Sequence, residues 1–227
     1  MRSSWIGFAP YVVVSVVHVA SLAADADAIA GPTKLALMPL LALAVAWGAR
    51  GSAWTSPLTL LVVAIGLSWL GDGAGTFFPF APELPMMLLF FGLAHVAYIW
   101  LFWRRLAVRR VPLWAAVYAV WWIVLLVVLW PHLGGLAIAV AVYGLVLGGT
   151  AVAASRCHPL VVWGSVFFLT SDSVLAFRLF LPDAMPDWTS PLVMFTYCLG
   201  QGLIAAGVLA AVRSRRAAAA TTPVVTA

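Results

Sequence analysis

Long apolar runs alternate along the chain with short breaks of proline, glycine or charged residues. A helix that crosses the hydrocarbon layer of a membrane needs roughly 20 consecutive apolar residues. Strands are not expected, because the runs are continuous and lack the alternation of a membrane β-barrel. The pattern therefore predicts an all-α bundle of eight transmembrane helices, at 6–23, 33–48, 57–76, 84–103, 112–130, 133–154, 161–180 and 191–212.

The composition excludes a soluble fold. Of the 227 residues, 65% are hydrophobic and 8% are charged, whereas about a quarter are charged in an ordinary soluble domain. Too few polar side chains remain to cover a water-soluble globule, so we expect an integral membrane protein. The eight runs leave no room for a separate soluble domain. We predict a single transmembrane domain, 1–216, followed by a disordered tail, 217–227.

Several kinds of site are not expected. Cys157 and Cys198 lie in separate regions without a CxxC pair, so neither a disulfide nor a thiolate metal site is predicted. The net charge of +5 comes without a basic run interleaved with aromatic residues, so nucleic acid is not an expected partner. The sequence has no HExxH motif, no Gly-rich phosphate loop and no GxSxG elbow. We therefore predict no metal and no organic cofactor.

Basic residues are distributed unevenly between the breaks. Cytoplasmic loops of membrane proteins collect lysine and arginine. With the N-terminus inside, ten of the twelve basic residues fall on the cytoplasmic side: Arg2, Arg50, Arg104, Arg105, Arg109, Arg110, Arg156, Arg213, Arg215 and Arg216. An odd number of helices would break this separation, so we predict that both termini are cytoplasmic. The preference for arginine over lysine indicates a bacterial genome of high GC content, and we expect the protein in the bacterial cell (inner) membrane.

The first run also has features of a secretory signal. Arg2, the apolar stretch and Ala24-Asp25-Ala26 imitate a signal peptide with a cleavage site. Cleavage would remove one helix and upset the even count that the basic residues favour. We therefore interpret the first run as a retained helix.

Two aspartates interrupt the apolar runs. Asp72 lies in the third run and Asp172 in the seventh. At 1.5 Å per residue they lie about 22 Å and about 17 Å from the cytoplasmic ends of their helices. An ionisable group in hydrocarbon is costly, so two carboxyls at similar depth indicate a functional centre.

Further polar side chains are expected near the depth of the aspartates. Residues three or four apart share a helix face, so three pairs each point in one direction. Such side chains either line a site or join helices through hydrogen bonds, and both interpretations stay open. The pairs are Ser68 with Asp72 on the third run, His95 with Tyr98 on the fourth, and Tyr197 with Gln201 on the eighth.

Lys34 and Arg178 mark the outer ends of the second and seventh runs. They form either a basic rim over the acidic centre or side chains that extend to the membrane interface. The third and seventh runs also resemble each other, since each leads to a small residue and an aspartate. An offset of four spans preserves orientation, so we hypothesise two parallel four-helix halves with the site at their interface.

A series of short motifs resembles the YhhN family of eight-span membrane proteins, whose characterised members are lysoplasmalogenases. The resemblance extends from about Thr33 to Gln201, and one departure is Leu35, where the family commonly has proline. The motifs are Thr33-Lys34 before Met38-Pro39-Leu40, Ser68 with Gly71-Asp72, Phe91-Gly92-Leu93-Ala94-His95 with Tyr98, Ser171-Asp172-Ser173, and Thr196-Tyr197 with Gln201.

The resemblance implies hydrolysis of the vinyl ether bond of a lysoplasmalogen, with Asp72 and Asp172 as the catalytic pair. The partners would be a lysophospholipid substrate and bilayer lipid, and no cofactor would be required. The alternative is a small proton-coupled transporter in which the same two carboxyls relay protons. The expected substrate-binding residues are Lys34, Ser68, His95, Tyr98, Ser171, Arg178, Tyr197 and Gln201.

The predicted orientation can be measured with reporter fusions. Reporters placed after Arg110 and after Arg213 should both indicate the cytoplasm, because both positions follow clusters of arginine. A C-terminal reporter on the opposite side of the membrane would contradict an even number of spans.

Overall fold

The computed structural model describes residues 5–51 and 53–221. Over these ranges the ordered elements are helical, with no strand, as predicted. The nine α-helices of the described chain are α1 Ala9–Ala23, α2 Asp27–Gly48, α3 Ser56–Asp72, α4 Ala74–Phe77, α5 Glu83–Trp100, α6 Val117–Leu129, α7 Ala137–Ala154, α8 Pro159–Phe180 and α9 Thr189–Thr221. In the described chain, seven helical segments are long and apolar enough to cross a membrane. The protein is therefore an integral, multi-pass membrane protein.

The third of the eight predicted spans is a shorter helix than the pattern indicated. The run 57–76 breaks after Asp72, so α3 has 17 residues and the short helix α4 follows it. At Gly73 a β-carbon would lie 2.3 Å from Cε2 of Phe77, because the chain folds back closely there. A helix of this length rises about 26 Å, slightly less than a typical hydrocarbon layer. The count of eight spans therefore stays a prediction.

Two predicted boundaries differ from the structure. α2 begins at Asp27 rather than at 33, and Pro32 lies within it. A proline near the start of a helix removes few backbone hydrogen bonds, so the Gly31-Pro32 pair does not end the helix. α9 continues to Thr221, so the tail predicted as disordered is helical at its beginning. The remainder, 222–227, lies outside the described residues, as does Arg2.

Arginines gather at one end of the bundle, where they bind the last carbonyls of several helices. Arg213 donates to the carbonyl of Gly48 at 2.7 Å, and Arg109 donates to that of Ser155 at 2.8 Å. Such contacts satisfy carbonyls that lack partners within a helix and suit the negative end of its dipole. Tryptophan rings at the same end lie beneath the guanidinium groups of Arg50, Arg104 and Arg156. The orientation of this end toward the cytoplasm stays a prediction.

The closest helix pair of the bundle is α8 with α9, which approach along glycines. A β-carbon at Gly200 would lie 2.8 Å from the backbone nitrogen of Phe168, and one at Gly164 would lie 2.7 Å from that of Ile204. Small residues allow such backbone approach between membrane helices. The contact fixes α8 against α9 near Asp172.

Substitution of Gly200 by alanine should therefore destabilise the bundle. The added methyl group meets backbone atoms of α8, which cannot move aside as a flexible side chain would. We expect Gly200→Ala to cost about 1–3 kcal/mol of stability, measured as a lower thermal unfolding midpoint in detergent. Gly66→Ala is the matched control, because a β-carbon at Gly66 would have no atom of another helix within 4 Å. Equal midpoints for the two variants would contradict the proposed close contact.

Candidate functional site

Asp72 and Asp172 line one cavity inside the bundle. Asp72 ends α3 and is 9% exposed, whereas Asp172 lies within α8 with its side chain 10% exposed. The remaining wall is mainly apolar and comes from α5 to α9, including Met87, Leu125 and Leu179. The structure thus brings together the two carboxyls that the sequence predicted at similar depth, in surroundings of low polarity.

Asp72 belongs to a buried chain of hydrogen bonds. The hydroxyl of Tyr197 donates to Oδ2 of Asp72 at 2.7 Å. The amide nitrogen of Gln201 donates to Ser68 Oγ at 3.1 Å and approaches the Tyr197 hydroxyl at 3.5 Å. The hydroxyl of Tyr98 donates to Gln201 Oε1 at 2.5 Å. These bonds connect α3, α5 and α9 beneath the carboxyl and hold Tyr197 toward it.

Asp172 has a different set of neighbours. The hydroxyl of Tyr143 donates to Oδ2 of Asp172, and Nε2 of His95 lies 3.8 Å from the same oxygen. Nδ1 of His95 lies 3.2 Å from Thr150 Oγ1. The Thr150 hydroxyl proton is directed to backbone carbonyls, that of Val146 at 2.9 Å among them, so Nδ1 of His95 must carry a proton. Nε2 is therefore the ring nitrogen that faces the carboxyl.

The predicted site residues fall into two layers. Lys34, Ser171 and Tyr197 line the cavity with the two aspartates. The hydroxyl of Ser171 donates to the carbonyl of Val193 at 2.9 Å and so joins α8 to α9. The second layer lies behind the cavity wall and is fully buried: Ser68, His95, Tyr98 and Gln201. Arg178 lines a separate, adjoining cavity.

Tyr143 is a residue that the sequence analysis missed. It lies on α7, lines the cavity and is the direct hydrogen-bond donor to Asp172. The run carries two hydroxyl side chains, Tyr143 and Thr150, and neither has another polar residue three or four positions away to indicate a face. The sequence therefore predicts the helix but not the direction in which the Tyr143 side chain points.

Contacts between the two aspartates and their neighbours match the hypothesis of two halves. The first half comprises α1, α2, α3 and α5, and the second comprises α6 to α9. Asp72 on α3 binds Tyr197 on α9, and Asp172 on α8 faces His95 on α5. Each carboxyl thus lies on the third long helix of one half and faces the last helix of the other. The site therefore lies where the two groups of helices meet; Asp172 also accepts a hydrogen bond from Tyr143 of its own half, and the parallel repeat stays a hypothesis.

The described residues contain no group of three or more histidines, cysteines, aspartates or glutamates placed to hold a metal ion. Fold and site together define a multi-pass helical membrane protein with an acidic pair in an apolar cavity.

The chain belongs to the YhhN family, whose model matches residues 30–208. This match confirms the resemblance of the motifs and is consistent with hydrolase activity. Neither the curated proteins nor the solved structures include a match to the chain.

The fully buried second layer, which includes Tyr98 and Gln201, should contribute to the stability of the bundle. Tyr98→Phe leaves Gln201 Oε1 buried without its donor, and a buried polar atom left unpaired costs about 1–3 kcal/mol. Thermal unfolding in detergent should show this loss. Tyr118→Phe is the control, because Tyr118 is also buried but its hydroxyl bonds to no described residue. Full stability of the Tyr98→Phe protein would contradict a structural role for this bond.

Proposed function

We propose that this protein is a lysoplasmalogenase-like hydrolase that cleaves vinyl ether bonds within the membrane. The products are a fatty aldehyde and a glycerophospho-alcohol. The observation that carries the proposal is the convergence of Asp72 and Asp172 on one apolar cavity in a member of the YhhN family.

The chemistry of a vinyl ether suits two carboxyl groups. A carboxylic acid transfers its proton to the β-carbon of the double bond, which leaves an oxocarbenium ion at the ether carbon. Water adds to that carbon and gives its proton to a carboxylate, and the resulting hemiacetal collapses to aldehyde and alcohol. Two carboxyls that share a low-dielectric site do not both ionise readily, so one can supply the acid while the other remains an anion. The arrangement parallels the two carboxyls of glycosidases.

The neighbours of the two carboxyls support different roles. Asp172 accepts a hydrogen bond from the hydroxyl of Tyr143 and has Nε2 of His95 3.8 Å away. Asp72 accepts one hydrogen bond, from Tyr197. A reaction that needs one acid and one anion can use two carboxyls with such different surroundings.

The shape of the cavity supports an amphiphilic substrate. Apolar side chains of α6, α7 and α8, such as Leu125, Val140 and Phe180, pack together in its lining and suit a hydrocarbon chain. Lys34 also lines this cavity, and Arg178 lines the adjoining one. These two cations suit the phosphate of the head group.

A proton-coupled transporter is the second candidate, and the break in α3 favours it. Discontinuous helices beside ionisable residues are typical of transporters, and α3 ends at Asp72 itself. Toward the arginine-rich end, however, the core below the site is closed by fully buried side chains such as Leu61, Leu101 and Phe102. The hydrolase accounts better for a cavity closed on that side.

The choice of substrate bond tests the proposal. Purified protein should hydrolyse a lysoplasmalogen at least about 100-fold faster than the matching alkyl ether or acyl lysophospholipid, a difference of roughly 2.7 kcal/mol in transition-state stabilisation. The alkyl ether lacks the double bond that accepts the proton, and the ester requires a nucleophile or an activated water. Mass spectrometry of the three reactions in parallel measures the ratios. In deuterium oxide, the carbon next to the new aldehyde group should carry solvent deuterium.

Asp72→Asn and Asp172→Asn are the matched variants for this experiment. Asparagine keeps the shape of aspartate but supplies neither the acid nor the anion, so each variant should lose several orders of magnitude of turnover while still folding. If one carboxyl must be protonated and the other ionised, the rate should also fall on both sides of a pH optimum. Retention of more than about a tenth of the activity in either variant would contradict the mechanism. Aldehyde without deuterium would do so as well.

A further inference from the structure

A second cavity adjoins the acidic one, and its histidine has no part in the proposed reaction. It lies between α1, α2, α8 and α9, and Lys34 and Leu175 line both cavities. Its polar lining comprises His18, Lys34, Arg178 and Ser190. No role follows for His18 from the sequence, because this histidine stands alone in the first apolar run.

His18 is buried and has one nitrogen without a partner. His18 as a whole is 1% exposed, and its ring atom Nε2 forms no hydrogen bond. Nδ1 lies 3.0 Å from Thr33 Oγ1. The Thr33 hydroxyl proton is directed to the carbonyls of Ile29 and Ala30, at 2.6 and 3.1 Å, so the Thr33 oxygen accepts from His18. In the neutral ring Nδ1 therefore holds the proton, and Nε2 is an unused hydrogen-bond acceptor.

The same cavity holds positive charge. Lys34 forms no ion pair within the described part of the chain. Arg178 donates from Nη1 to Thr189 Oγ1 at 2.5 Å and to the carbonyl of Pro186 at 3.2 Å, and a guanidinium has further donors. The lining of the cavity thus combines two cations that suit an anion with a histidine whose buried Nε2 has no donor. A phosphodiester that carries a nearby O–H or N–H group satisfies both.

We propose that this cavity is the subsite for the lipid head group, in which Lys34 and Arg178 bind the phosphate and His18 Nε2 accepts a hydrogen bond from the lipid. The inference rests on the proposed function, since it assumes that a lysophospholipid reaches the aspartates. Two groups can supply the donor: the ammonium of ethanolamine and the free sn-2 hydroxyl of the glycerol. The quaternary ammonium of choline has no N–H. A ligand without a donor leaves Nε2 unpaired, which costs about 1–3 kcal/mol.

Binding without turnover tests the subsite. Full-length protein in detergent is titrated with three alkyl ether lysophospholipids, which the proposed chemistry does not cleave. The first carries ethanolamine, the second carries choline, and the third carries ethanolamine with its sn-2 hydroxyl methylated. The wild-type protein should bind the first lipid about 5- to 150-fold more tightly than the lipid that lacks the relevant donor. Weaker binding of the choline lipid identifies the ammonium as donor, and weaker binding of the methylated lipid identifies the hydroxyl.

His18→Ala should abolish this preference and leave the binding of the donor-free lipid within about twofold. His132→Ala is the control, because His132 is exposed in the connection between α6 and α7. Thr33→Val is a second variant, which keeps the imidazole but removes the acceptor that holds its proton at Nδ1, and it should reduce the same preference.

Each outcome separates the two proposals. A wild-type protein that binds the three lipids equally, or a His18→Ala protein that keeps the wild-type ratio, overturns the subsite while the hydrolase proposal stands. Failure of the wild-type protein to bind any of the lipids overturns the subsite, whereas turnover of the lysoplasmalogen decides the hydrolase proposal. If His18→Ala does not fold, the relative affinities of the wild-type protein for the three lipids and the Thr33→Val variant still test the subsite. An unchanged affinity ratio in Thr33→Val contradicts the assigned role of Nε2.

Discussion

Two carboxyl groups buried among apolar helices impose the main constraint on this structure. A carboxyl in hydrocarbon is stable only with hydrogen-bond donors directed to it. Here each aspartate receives a tyrosine hydroxyl from another helix, Tyr197 for Asp72 and Tyr143 for Asp172. The helices that carry these groups must therefore keep fixed positions relative to one another, and the glycine contact at Gly200 between α8 and α9 supplies part of that rigidity.

The two halves of the bundle satisfy this constraint together. Asp72 on α3 depends on α9, and Asp172 on α8 lies opposite α5, so neither half completes the surroundings of its own aspartate. The polar groups differ between the two sides, with Tyr197 facing one carboxyl and His95 the other. The two carboxyls therefore have different neighbours, and the proposed reaction, which needs one acid and one anion, requires such a difference.

Most of the fold could be predicted from the sequence, because run length and charge distribution are the properties that a membrane selects. The depth of Asp72 and Asp172 followed from counting along each run. Other features depend on contacts in the folded structure, which the periodicity of the sequence does not show. The helices are apolar on nearly every side, so the sequence did not show that Tyr143 faces the cavity. At the break after Asp72 the ring of Phe77 lies against Gly73, and α2 begins before Pro32, which lies inside the helix.

Lys34 connects the two parts of the site, because its side chain lines both the acidic cavity and the cavity of His18. A lysophospholipid presents a hydrocarbon chain, an ether bond and a charged head group in that order. Leu125 and Val140 line the acidic cavity together with the carboxyls, and Lys34 and Arg178 line the adjoining cavity. In the proposed reaction, a head group held by the two cations keeps a fixed distance from the ether bond, and that distance determines which carbon lies beside the carboxyls. Under that proposal, the selectivity depends on His18 and Lys34 as well as on the two aspartates.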